Sequence, residues 1–318
     1  MENEVNLSGQ AVPWERATIE KLLFAELRER RAARRWRLLR SLLWMGLVGA
    51  LVWVLASEQL PSATPSSAHT AMVAIKGEIS DAGEGSAEYI LPALRSAMQD
   101  KGAQALVLLI NSPGGSPVQA GLIHDEIRRL RALHDKPVYA VVEESCASAA
   151  YYIAAGADRI YVDKASLVGS IGVLINGFGF TGLMDKLGVE RRLLTAGENK
   201  GFLDPFSPQS DAQRAHAQRM LDQIHQQFIG VVRQGRGERL KETPEMFSGL
   251  FWTGEQAVQL GLADGLGSLD MVAREVVKAE KLVDYTNKEN IAERFAKRLG
   301  ASVGQGAMAA LRGGAGWR

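Results

Sequence analysis

Between Arg40 and Glu58 the chain runs for 17 residues, SLLWMGLVGALVWVLAS, without a charged side chain. A helix needs about 20 apolar residues to cross a hydrocarbon layer of about 30 Å, so this run, extended backwards by Leu38 and Leu39, reads as one short span. Trp36, Trp44 and Trp53 suit its interfacial ends, and flanking arginines can snorkel. A buried soluble helix would not be announced by Arg28, Arg30, Arg31, Arg34, Arg35, Arg37 and Arg40, and a cleavable signal rarely follows so long a leader. After the run no Lys or Arg occurs until Lys76. The positive-inside rule therefore predicts a cytoplasmic segment at 1–37, a transmembrane signal anchor at 38–57 and an exported remainder. The expected topology is single-pass, with the N-terminus cytoplasmic, the large domain exported and the lipid bilayer as a partner. Within residues 1–27, Trp14 to Leu27 reads as an amphipathic helix that continues into the span.

Of 318 residues, 46% are hydrophobic and 23% charged, enough for one sizeable core. The 37 basic and 36 acidic residues nearly cancel, which leaves no field to draw the protein to nucleic acid. The single cysteine, Cys146, excludes an internal disulfide. With five scattered histidines it also removes the usual means of building a zinc site, so neither a metal nor an organic cofactor is expected.

Residues 58–69 are rich in Ser, Pro and Thr and read as an extended tether. A folded domain over 70–280 begins with the strand AMVAIKG and the buried strand QALVLLIN at 104–111. A helix is predicted from Pro117 to Leu133, with apolar Val118, Leu122, Ile127 and Leu130, and KPVYAVV follows as another strand. Further on come a helix from Ala149 to Ala155, a strand at RIYVD, a Gly-rich stretch from Ser166, a strand near ERRLLTA and a helix from Gln209 to Arg233. Gly235 and Gly237 break that helix, and another starts after Thr253. The alternation predicts an α/β fold with largely parallel strands. The tail at 281–318 turns basic and then Gly- and Ala-rich, and its last 20 or so residues read as mobile.

Two segments invite chemistry. Asn111-Ser112-Pro113-Gly114-Gly115-Ser116 lies between a buried strand and a helix, where backbone N–H groups can face an anion. It suits an oxyanion hole, a phosphate site or a plain turn, although it lacks the lysine of a P-loop. In Ser145-Cys146-Ala147-Ser148-Ala149-Ala150-Tyr151-Tyr152, small residues surround a serine at the start of an apolar helix. That serine suits either a nucleophile at a helix N-terminus or an ordinary N-cap. His69, His124, His134, His216 and His225 lie in the tether or at helical positions, with no acidic pattern resembling a triad. A lysine base would need its pKa lowered from about 10.4 by burial or positive neighbours. Lys200, in the loop AGENKGFLDPF, is the candidate, with a solvated loop lysine as the alternative.

In order along the chain, NSPGGS (111–116), ASAAYYIA (147–154), SLVGSIGV (166–173) and AGENKGFLDPFSP (196–208) resemble the signal peptide peptidase A group, the S49 peptidases. The resemblance covers about residues 70–280 and implies a fold related to Clp protease and crotonase. It further implies Ser148 as nucleophile, Lys200 as general base, Ser170 as the hydroxyl that orients the lysine, and Gly114, assisted by Gly115, as oxyanion donor. From the same resemblance come a homo-oligomeric ring in which neighbouring subunits complete each site, and hydrophobic peptides left by signal-peptide processing as substrates. The chain departs from the group where Gly is frequent after the nucleophile and Ala149 and Ala150 stand here.

Three rival readings remain. A non-catalytic membrane scaffold would keep the fold and bind peptides, with Ala149 and Ala150 as its hint. A crotonase-like acyl-CoA reaction would share the oxyanion geometry, but the exported topology opposes it. Cys146 as nucleophile would place a thiolate two residues from Ser148.

Overall fold

The structure, a computed structural model, describes residues 34–50 and 67–287. The amphipathic stretch 14–27, residues 51–57 of the apolar run, most of the tether and the chain after residue 287 lie outside the described residues. Residues Met1–Thr64 and Pro65–Arg318 form two compact units. In the first, residues 34–50 are helical (α1) and exposed throughout, Leu42, Leu43 and Trp44 included. Among the described residues no helix is long and apolar enough to cross a membrane. α1 contains only the first part of the uncharged run.

The second unit alternates strands and helices. In chain order these are β1 (His69–Lys76), α2 (Ala87–Gln99), β2 (Ala103–Ser112), α3 (Pro117–Leu133), β3 (Val138–Ala147), α4 (Ala149–Ala154), β4 (Arg159–Val162) and β5 (Leu167–Gly169). There follow α5 (Thr181–Leu187), α6 (Asp211–Arg236), β6 (Phe251–Thr253), α7 (Gly254–Gln259), β7 (Gly265–Leu266), the short helix α8 (Leu269–Met271) and β8 (Leu282–Asp284). Hydrogen bonds order the sheet β6-β5-β3-β2-β1-β8, with β4 joined to β3 and β7. Only the β5/β6 pair is antiparallel.

The centre of the sheet is covered on both faces, which is why β2 reads as an unbroken apolar run. Alternate side chains serve two cores: Leu106, Leu108 and Ile110 join the larger, Val107 and Leu109 the smaller. α3 starts where Pro117 follows Ser116, whose hydroxyl accepts the Gln119 N–H. Ser210 with Gln213 opens α6 and Thr253 with Gln256 opens α7, each as a reciprocal capping box.

Several expectations are revised. α3 buries Ala120, Ile123, Ile127 and Leu130, whereas Val118 and Leu122 face outward. The residues around ERRLLTA form no strand: no edge pairs with them, and Leu194 is fully exposed. α6 passes through Gly235 to Arg236 and ends at Gly237, whose φ of 53° few other residues would adopt. His69 belongs to β1 and is buried. Its Nε2 lies 3.1 Å from the Tyr285 hydroxyl, and its Nδ1 donates to the Ser67 carbonyl at 3.0 Å. The sheet also continues past residue 280, since β8 pairs with β1.

Candidate active site

β3 carries the chain to the site by changing neighbours along its length. Tyr139 to Val142 pair with β4, and Ser145 to Ala147 pair with β5. Ala147 stands opposite Gly169, so Ser148 and Ser170 leave adjacent strand ends side by side. Both have left-handed backbones, φ 52° at Ser148 and 49° at Ser170. Among the described residues only Leu203 and Lys278 share that property outside glycine. Such a conformation costs about 1–3 kcal/mol per residue and persists only where the surroundings over-determine it. Here the Ser148 N–H donates to the Gly169 carbonyl and the Ser170 N–H to that of Leu250, each at 2.8 Å.

Ser148 occupies the N-cap position of α4, yet its hydroxyl makes no capping bond. The ordinary explanation for a serine at this place is therefore not realised. Ser148 lines a cavity of about 720 Å³. Ser170, Gly115 and Ala149 share that wall, and Leu174, Ile224 and Phe228 give it an apolar side.

The Gly114-Gly115 turn approaches Ser148 from β2. Its ladder to Ile79 fixes it: Ile79 N–H donates to the Gly114 carbonyl at 2.9 Å, and Ser116 N–H to the Ile79 carbonyl at 2.7 Å. The Gly114 N–H is engaged by the Ser112 hydroxyl at 3.1 Å. The N–H groups of Gly115 and Ala149 have no acceptor among the described residues. Two free donors that line the same cavity as a serine can stabilise a developing oxyanion. The Ala149 donor was not read from the sequence, although any nucleophile at a helix start carries an N–H one residue on. Ser112 had no sequence signal for its role.

Lys200 is not among the residues that line this cavity. It lies exposed in the turn after Gly197, whose carbonyl accepts its N–H at 3.1 Å. The single chain thus brings Ser148, Ser170, Gly114 and Gly115 together, and Lys200 is exposed outside the cavity lining. Lys200 belongs to an arm, residues 174–207, in which Leu174, Phe178, Leu187 and Leu194 are exposed and α5 has no buried residue. Phe180 stacks on Phe206 at 5.4 Å, and Arg191 covers the same ring at 5.9 Å. Cys146 is fully buried, and burial pushes its thiol far above the ordinary range, the opposite of a reactive thiolate. Among the described residues no group of His, Cys, Asp and Glu could hold a metal ion.

The sequence profile of peptidase family S49 matches residues 131–284, a span that holds Ser148, Ser170 and Lys200. A Brucella melitensis protein named Na(+)/H(+) antiporter NhaA is 49% identical over 178 residues, 55% of this chain and 24% of that one. An Enterococcus faecium protein provisionally named signal peptide peptidase SppA is 31% identical over 222 residues, 67% of this chain and 64% of that one. Protease 4 of Haemophilus influenzae is 30% identical over 218 residues, 67% of this chain and 35% of that one. This chain therefore spans between about a quarter and just under two thirds of the length of these relatives. The profile match and these relatives support a member of peptidase family S49, the signal peptide peptidase A family.

Proposed function

We propose that this chain is a membrane-anchored serine endopeptidase that hydrolyses hydrophobic peptides with Ser148 as nucleophile and Lys200 as base. The observation that carries the reading is Ser148 itself: a strained, uncapped serine that lines an apolar cavity together with two residues whose N–H groups are free. Ser148 Oγ attacks the peptide carbonyl while its proton passes to the unprotonated Lys200 amine, and the oxyanion rests on the Gly115 and Ala149 N–H groups. Gly114 supports that hole by position, since its own N–H is held by Ser112. Lys200 then protonates the departing amine, and water, deprotonated by Lys200, releases the acyl group from Ser148. Ser170 orients the lysine.

Because the single chain holds Lys200 on an exposed apolar arm, a neighbouring copy supplies it to each cavity. Packing the arm against that copy covers surface of a kind monomers rarely leave open, and provides the desolvation that a lysine base requires. The hydrophobic preference follows from the cavity wall formed by Leu174, Met220, Ile224 and Phe228. Residues 38–57 anchor the assembly in the inner membrane of a bacterium, with residues 1–37 cytoplasmic and the peptidase domain periplasmic.

Full-length protein in detergent, treated with a fluorophosphonate, is expected to carry one label at Ser148, and Ser148→Ala to carry none. Folded, oligomeric protein that takes no label would instead mark a peptide-binding scaffold.

A further inference from the structure

Residues 172–175 form one wall of the cavity, although they belong to no strand or helix. Their attachment is sparse. Ser170 is fixed by its N–H to the Leu250 carbonyl, and the next outside main-chain bond is from the Phe180 N–H to the Pro205 carbonyl, each at 2.8 Å. Between these points the Gly172 N–H returns to the Ser170 carbonyl at 2.9 Å, closing a tight turn around Ile171, whose side chain is fully buried. Among the described residues a single hydrogen bond reaches residues 171–179 from elsewhere. It runs from His225 Nε2 to the Ile171 carbonyl, at 3.1 Å across 54 positions of sequence.

A carbonyl oxygen only accepts, so Nε2 carries the proton in this bond. His225 lies on α6, and Leu221 and Phe228, its neighbours at helical spacing, line the cavity together with the adjacent Ile224. α6 therefore contributes both an apolar wall and the one polar tie to the wall opposite. Nothing local announces this role, because His225 reads as an ordinary helical histidine.

We propose that His225 is a positioning residue: by holding the Ile171 carbonyl it fixes the turn that aims Ser170 and the wall at 172–175 toward Ser148. The proposal rests on the peptidase reading for its consequence in catalysis, but not for the contact. The histidine touches neither substrate nor the reacting atoms. It acts through the main chain, so the loss of its donor changes the geometry of the site without removing any group from it.

The test compares His225→Gln, whose amide reaches the place of Nε2, with His225→Asn, whose shorter side chain does not, in full-length protein in detergent. In His225→Asn, hydrogen exchange over 171–176 should accelerate about threefold to tenfold, as expected for one lost hydrogen bond. Fluorophosphonate labelling of Ser148 should slow about tenfold while the thermal midpoint barely moves. His225→Gln should restore both. Unchanged exchange in His225→Asn, or equal losses in the two variants, would overturn the role. In the unsubstituted protein nitrogen NMR should find Nε2 of His225 protonated. A ring protonated only on Nδ1 overturns the proposal even if both variants misfold. If the unsubstituted protein takes no label, the peptidase reading fails by itself, and exchange alone decides the role of His225.

Discussion

A Cβ atom built on Gly114 would stand 2.7 Å from the Cβ of Ser148 and 2.7 Å from the carbonyl oxygen of Ala147. The turn after β2 thus touches the turn after β3 through bare main chain, at a Gly114 φ of 104°. Neither neighbour is the end of a flexible side chain, so a methyl group must displace the turn or the serine. Gly114→Ala is expected to slow fluorophosphonate labelling of Ser148 about a hundredfold, the scale of a disturbed oxyanion site. It should also lower stability by about 1–3 kcal/mol from strain at positive φ. Gly121→Ala, in α3 with nothing within 4 Å of the new methyl, should gain about 0.5–1 kcal/mol and label normally. Thermal melts and labelling rates on the pair check both statements. Parallel behaviour of the two variants would remove the case for close approach at Gly114.

Cys146 lies two residues before Ser148 and is 0% exposed. Burial keeps its thiol protonated, and it has no path to a substrate in the cavity. Cys146→Ala should leave Ser148 labelling within about twofold and lower stability by about 1–2 kcal/mol through the small void created. A thiol reagent should modify the unsubstituted protein only as it unfolds. Rapid modification of the native protein, with loss of Ser148 labelling, would revive the cysteine as nucleophile.

How far these features were legible follows from what each one needs. The bounds of α3 could be read because Ser116-Pro117 and the polar residues after Leu133 mark its ends locally. β2 could be read because a strand covered on both faces is apolar at every position. The faces of α3 were harder: period places Val118, Leu122, Ile127 and Leu130 on a helix but does not say which of them meets the sheet. β5 to β8, each of two or three residues, exist by pairing with distant strands, and nothing within three residues announces a partner. His69 looked like part of a tether because its partners, Tyr285 and Asp100, lie far along the chain. In the site, the ordered motifs marked Ser148, Ser170 and the glycines. They could not disclose that Ser112 occupies the Gly114 N–H, or that Lys200 stands apart from the cavity in a single chain.

Glu126 is buried on α3, and Arg129 and Arg95 donate to its carboxylate at 2.6–2.7 Å. The hydrogen bond from Arg129 leads, with Arg95 in support, and together they hold its pKa at about 2. Because the folded pKa lies below the unfolded value, the contribution is complete above the ordinary carboxylate range near 4.5 and fades as pH falls toward 2. Both guanidinium groups are about half exposed, which screens the pair. Glu126→Gln should therefore destabilise the domain by about 1–2 kcal/mol at pH 7 and by progressively less below pH 4.5. Denaturant titrations at pH 7, 4 and 3 measure this. A deficit that stays constant across that range would show that packing, and not ionisation, explains the effect.

Ser148 lines the cavity and Lys200 does not in one chain, and this difference gives the sharpest test of how the site is completed. If a neighbouring copy supplies the lysine, a Ser148→Ala chain still lends Lys200 to its neighbour, and a Lys200→Ala chain still carries an intact Ser148. Each variant alone should be inactive. Mixed during refolding or co-expressed in equal amounts, they should regain roughly a quarter of the unsubstituted peptidase activity, since about one junction in four in a closed homo-oligomer joins an intact serine to an intact lysine. Mixing after assembly should regain much less if copies do not exchange. Complete inactivity of the co-assembled mixture, with both chains shown to be in one oligomer, would mean that each chain must bring its own Lys200 to its own Ser148. The arm at 174–207 would then have to fold back over the cavity, and distance measurements between labels on the arm and on α4 should find the two close together.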